Sequence, residues 1–174
     1  MPSDADLVAR VLAHDDRHAF ATLVRRHQSP VRGLLRRLTS GDLAWADDLA
    51  QETFVRAWRG LRRWRGEARL STWLHRIAFN VFASEVEKRA RRATDVVADV
   101  PEAATGAEGV TLSRDLDRAL AHLSPAERAV LALTYAQDAT NEEVAETLGI
   151  PVGTVKTHLH RAKARLREVL FDAG

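Results

Sequence analysis

The sequence predicts an all-α protein of two small helical modules joined by a flexible acidic linker. Apolar residues recur at helical spacing along most of the chain, and no stretch alternates as a strand would. Residues 93–113 hold four Asp+Glu and no Lys or Arg. Charge is also partitioned: residues 1–92 carry 18 Lys+Arg against 11 Asp+Glu, whereas residues 114–174 carry 8 against 9. A basic module, an acidic connector and a near-neutral module fit contact with nucleic acid better than an average surface does. The expected division is 1–92, a linker over 93–111, and 112–174.

Composition removes several function classes. The 174 residues are 45% hydrophobic, enough for real cores, and contain no cysteine. Disulfides, thiol chemistry and cysteine zinc sites are therefore excluded. No apolar run reaches membrane-spanning length, and the N-terminus (Met-Pro-Ser-Asp-Ala-Asp) is acidic where a secretory signal is basic and apolar. A cytoplasmic protein without membrane contact is expected. There is no glycine-rich phosphate loop and no nucleophile elbow. No catalytic residue and no cofactor is assigned, and the chain is not read as an enzyme. His14 and His18 are four apart, but the turn at Asp15-Asp16 separates them and no third ligand is evident, so no metal site is assigned.

The elements follow in order. Asp4 to Ala13 reads as a first short helix. Asp16 to about Leu38 reads as a longer one, with Phe20, Leu23, Val24, Val31, Leu34, Leu35 and Leu38 inward, and Pro30 should kink or divide it. Ser40-Gly41 breaks it. A third helix is expected from Leu43 to Leu61, a loop from Arg62 to Leu70, and a fourth helix capped by Ser71 and running to about Arg92. After an irregular connector, Asp115 to Leu123 is helical. Ser124-Pro125-Ala126-Glu127 starts the next helix with an N-cap, a first-turn proline and a closing glutamate, and that helix should reach about Gln137.

Thr140 to Arg167 is the most informative stretch. Thr140 and Glu143 have capping-box spacing, Gly149 can take the left-handed conformation that ends a helix, and Pro151 blocks its continuation. A second helix from about Val152 has the stripe Val155, Leu159, Ala162, Leu166. From Val152 to Arg167 there is no carboxylate. A helix-turn-helix charged this way suits the major groove of DNA.

Two other clusters carry chemistry. In DDLAQETFVRAW, Asp47, Asp48, Gln51 and Glu52 share one polar face, an acidic patch in a basic module that fits docking on a basic protein partner. From Arg59 to Arg92 ten basic residues stand among three glutamates, with Trp64 and Trp73 interleaved. Charge tracking phosphates and rings stacking on bases is the chemistry of single-strand binding. The place of Trp73 in an apolar stripe favours core packing for it, while Trp64, in the loop, is freer to act.

Together these residues resemble the extracytoplasmic-function (ECF) class of bacterial sigma factors, in the sigma-70 family. DDLAQETFVRAWRGL is similar to region 2.2, WRGEARLSTWLHRIAFNVFASEVEKRARR to regions 2.3 and 2.4, and LSPAERAVLALTYAQDATNEEVAETLGIPVGTVKTHLHRAKARL to region 4. The resemblance implies a cytoplasmic factor that binds core RNA polymerase and directs it to promoter DNA with −35 and −10 elements. It implies docking of Asp47, Asp48, Gln51 and Glu52 on the β′ clamp helices, with the β subunit a further contact. It assigns Trp64, Arg65, Arg69, Ser71, Arg76 and Asn80 to the melted −10 strand. It assigns Arg128, Thr154, Lys156, Thr157, His158 and Arg161 to the −35 duplex. Many members are controlled by an anti-sigma factor. His158 stands where many carry arginine, and Asn141 where an aromatic residue is usual. VGTVKTHLHRAKARL also resembles the recognition helix of LuxR-type regulators, but residues 1–92 lack the alternating strands and helices of a receiver domain.

Overall fold

The computed structural model describes residues 1–95 and 111–171, all helical or in turns, with no strand among them. Helix α1 (Asp4–His14) starts with a capping box. The Ser3 hydroxyl accepts from the Asp6 amide, and the Asp6 carboxylate accepts from the Ser3 amide at 2.8 Å. It buries Leu7, Val8 and Val11 and ends at Asp15, whose φ is 53°. Helix α2 (Arg17–Leu38) is capped by the Asp16 carboxylate and buries Leu23, Val31, Leu34, Leu35 and Leu38. Pro30 lies inside it without dividing it.

Helix α3 (Leu43–Gly60) is capped by Asp42 and buries Ala46, Ala50, Thr53 and Ala57, small residues that let the neighbouring helices approach. A single 3-10 turn, Leu61–Arg63, follows, and Gly66 supplies a φ of 75° before the next helix. Helix α4 (Leu70–Asp95) begins two residues earlier than a Ser71 cap implies, so Ser71 sits in its first turn and is not its cap. The reason is packing: Leu70 is 4% exposed and opens the stripe continued by Leu74, Ala78, Val81 and Phe82. The expected irregular connector falls mostly on residues 96–110, outside the described residues.

Helix α5 (Thr111–Ala121) starts earlier than the sequence suggested. Helix α6 (Pro125–Leu131) has the anticipated capping box between Ser124 and Glu127 and continues as a π-helical turn over Ala132–Ala136. Helix α7 (Asn141–Leu148) has its capping box at Thr140 and Glu143, and Gly149 ends it with φ 67°. Helix α8 (Val152–Phe171) packs Val155 and Ala162 inward at 0% exposure.

A single hydrophobic core runs through both halves, from Leu7 and Leu34 to Val130, Val144 and Val155, with a satellite of Leu120, Leu123, Leu131 and Ala162. Helix α2 packs against α1, α3 and α4 on the N-terminal side and against α6 and the π turn on the other, while α7 rests on α4. The modules read from the sequence are therefore in direct contact.

Two consequences are measurable. Leu34 is fully buried at 0% exposure. Leu34→Ala should cost about 2–5 kcal/mol in urea unfolding, since lost transfer energy and a cavity add. His75 is buried in α4, and burial first, with the His27 charge second, lowers its pKa from 6.5 to about 4. A neutral buried histidine gives stability that is present above pH 6.5 and lost as pH falls toward 4, about 3 kcal/mol in all. His75→Leu should flatten the decline in unfolding free energy between pH 7 and 4.5 by about one bound proton.

Candidate nucleic-acid interface

The recognition helix α8 presents its charge to water. Lys156 and Arg161 are exposed and make no ion pair among the described residues, and Thr157 is exposed beside them. The Thr157 hydroxyl donates to the Gly153 carbonyl at 3.0 Å, leaving its oxygen as an acceptor outward. Thr154 is half-buried in the first turn. His158 is half-buried too, and its Nδ1 is buried without a hydrogen-bond partner among the described residues. Arg165, further along α8, bonds the Glu127 carboxylate at 2.9 Å. Glu127 is 3% exposed, so one carboxylate both closes the α6 cap and ties α6 to α8.

Arg128 does not face outward with the α8 residues. Its Nε donates to the Leu123 carbonyl at 3.1 Å, and its Nη1 to the Leu38 carbonyl at 2.6 Å and the Ser40 hydroxyl at 2.9 Å. Burial pushes its pKa below the usual arginine value. No carboxylate pairs with it among the described residues.

In the first module Arg59, Arg62, Arg63 and Arg65 are exposed and unpaired among the described residues. Trp64 is half-buried against the core, with Nε1 enclosed and unbonded, so the loop tryptophan is packed and less free than its position suggested. Trp73 is half-buried against Gly60, in line with its stripe. Ser71 is half-buried, and Asn80 is exposed on α4. Arg76 donates from Nη2 to the Glu146 carbonyl at 2.6 Å, and Arg69 stands 3.7 Å from the Glu143 carboxylate. The Thr140 backbone amide, chief among several groups, holds the Glu143 carboxyl below its ordinary pKa.

On α3, Asp47, Asp48 and Gln51 are exposed and Glu52 is half-buried. Asp47 pairs with Arg32 at 3.2 Å and Glu52 with Arg56 at 2.6 Å. Beside them a groove of about 400 Å³ is lined by Trp45, Asp48, Glu52, Arg56, Lys88 and Arg89. Arg89 stacks over the Trp45 ring at 3.6 Å. The acidic edge thus stands on a partly compensated base, with Asp48 and Gln51 free of ion pairs among the described residues.

Comparison with known proteins places the chain in a family. The family model for sigma-70 region 2 matches residues 23–92, and that for sigma-70 region 4 matches residues 113–166. The chain is 36% identical to the ECF RNA polymerase sigma factor SigM of Mycobacterium tuberculosis, over 97% of this chain and 85% of that one. It is 32% identical to the ECF sigma factor SigW of Bacillus subtilis, over 90% and 91%. Among solved structures, the sigma factor RpoE in complex with the anti-sigma factor NepR from Bartonella quintana superposes with a TM-score of 0.72 at 29% identity, covering 87% of this chain and 96% of that one. CnrH in complex with the cytosolic domain of CnrY gives 0.71 at 27% identity, over 98% and 97%. A LuxR-type regulator would leave the region 2 match unexplained. The chain belongs to the ECF class of RNA polymerase sigma factors, non-enzymatic factors that direct polymerase to promoters.

Proposed function

We propose a division of labour between residues 1–92 and residues 112–174, with residues 93–111 as the linker. Asp47, Asp48, Gln51 and Glu52 dock the factor on the β′ clamp helices of core RNA polymerase in the cytoplasm, and the β subunit holds the C-terminal module. Trp64, Arg65, Arg69, Ser71, Arg76 and Asn80 hold the melted −10 strand. Arg128, Thr154, Lys156, Thr157, His158 and Arg161 hold the −35 duplex. The observation that supports this most directly is the exposed cationic face of α8 around Lys156 and Arg161, unpaired among the described residues, with no carboxylate from Val152 to Arg167. Guanidinium and ammonium groups so placed can reach base edges and phosphates of a duplex. An anti-sigma factor is the proposed inhibitor, since the similar sigma factor RpoE was solved with one, NepR, bound.

Purified core enzyme and a library of genomic fragments test the reading as a whole: the factor should yield promoter-dependent transcripts, and failure to do so together with failure to bind core would refute it. Arg161→Ala should weaken −35 duplex binding by about 1–3 kcal/mol while core binding stays unchanged. A loss of core affinity instead would mean that this face is wrongly assigned. Conversely, Asp48→Arg should weaken core binding, measured by competition with the wild-type factor, and leave thermal stability within about 0.5 kcal/mol, because Asp48 is exposed.

A further inference from the structure

We propose that Arg165 is a clamp for one backbone phosphate of the DNA duplex, and that the Glu127 carboxylate is the brace that aims it. This role rests on the reading of α8 as the helix that enters the −35 groove, and it adds a residue beyond Arg161. Thr154, His158, Arg161 and Arg165 follow one another at spacings of four, three and four, so they share one side of the helix. At about 1.5 Å per residue, Arg165 stands ~16 Å along the axis from Thr154. The major groove is only about 12 Å wide. With the first turns of α8 against base edges, the turn that carries Arg165 has crossed the groove and meets its wall, where the phosphates stand.

The local geometry leaves room for one more acceptor. Arg165 Nη1 donates to Glu127 Oε2 at 2.9 Å. The same oxygen accepts from the Ser124 amide at 2.9 Å, in the capping box of α6. The Glu127 side chain is 4% exposed, whereas that of Arg165 is 50% exposed. A carboxylate so enclosed and so bonded holds one position, and it fixes the guanidinium beside it. Arg165 Nε and Nη2 make no hydrogen bond among the described residues. They form one edge of the guanidinium, and that edge matches two oxygens of a phosphate.

Adhesion of α6 to α8 does not need the ion pair. Leu131 of α6 and Ala162 of α8 share an apolar cluster, and Ala162 is 0% exposed. Enclosing a carboxylate costs hydration, and an ion pair with one half-exposed partner returns little stability. The pair is better explained by what it does to the arginine. A mobile arginine gives up rotamer freedom when it takes a phosphate, and Arg165 has given it up already.

Glutamine at position 127 keeps the capping box and removes the charge. Glu127→Gln and the double variant Glu127→Gln, Arg165→Met therefore isolate the guanidinium without leaving a buried carboxylate alone. Each full chain is assembled with core polymerase and bound to a promoter fragment chosen by transcription with the wild-type factor. The slope of log affinity against log salt counts phosphates at about 0.9 each. Glu127→Gln should keep the wild-type slope and weaken binding about threefold, the loss of preorganisation. The double variant should lose about one phosphate from the slope and bind about tenfold more weakly, to the same degree for every −35 sequence. Methylphosphonate substitution along the −35 element should find one position that weakens wild type and leaves the double variant unaffected. A wild-type slope in the double variant, or no such position, overturns the clamp, and the pair then only ties α6 to α8. If the double variant does not fold, Arg165→Lys decides, because lysine keeps the charge without the fork. Its binding should fall about threefold with the sensitive phosphate unchanged, and wild-type affinity overturns the clamp. Arg161→Ala separates the two readings. Weakened binding there beside an unaffected double variant refutes the clamp alone, and unchanged binding in both refutes the placement of α8 in the −35 groove.

Discussion

The C-terminal half of α2 carries this fold because it is buried on two sides at once. Val31 is 1% exposed, and Leu34, Leu35 and Leu38 are 0% exposed. An amphipathic helix usually gives one stripe to the core and the opposite face to water. Here α1, α3 and α4 cover one side while α6 and the π turn cover the other. Water then has little access to the backbone at the end of α2, and buried carbonyls need donors from the protein. Arg128 supplies them at Leu38 and Gln137 does so at Pro30. Polar contacts between the modules follow from apolar burial.

That arrangement has an electrostatic cost. A half-buried guanidinium with no carboxylate partner among the described residues gives up hydration and gains neutral oxygens in return. The shift of Arg128 toward its uncharged form expresses the same penalty. The contact between modules therefore combines a favourable apolar seam with a charge that would be better solvated elsewhere. The acidic face of α3 lies apart from these contacts, with Asp48 and Gln51 exposed.

Much of the architecture was legible in the residues. The boxes Ser124/Glu127 and Thr140/Glu143 and the left-handed Gly149 form as their spacing implies, because capping is local chemistry. The start of α4 differs by two residues from the expected one: the serine signal at Ser71 lost to the burial of Leu70, a tertiary effect. Arg165 and Glu127 are 38 residues apart, and nothing in either one's neighbourhood announces the pair. The contact of the modules was invisible for a sharper reason. Arg128 and Arg76 bond backbone carbonyls, and every residue has a carbonyl, so no residue type marks the acceptor. Trp64 illustrates the converse: a loop position says little about packing when the loop folds back on the core.

The distribution of aromatic residues has an optical consequence. All four tryptophans (Trp45, Trp58, Trp64 and Trp73) lie on the N-terminal side, and the single tyrosine, Tyr135, lies on the π turn of the other half, 62% exposed. Indole emission thus reports one half alone, and phenol excitation begins only in the other. Transfer of excitation from Tyr135 to the indoles depends on the distance between the halves. The natural chain, without any attached dye, therefore contains its own donor and acceptors for reading the distance between the two halves.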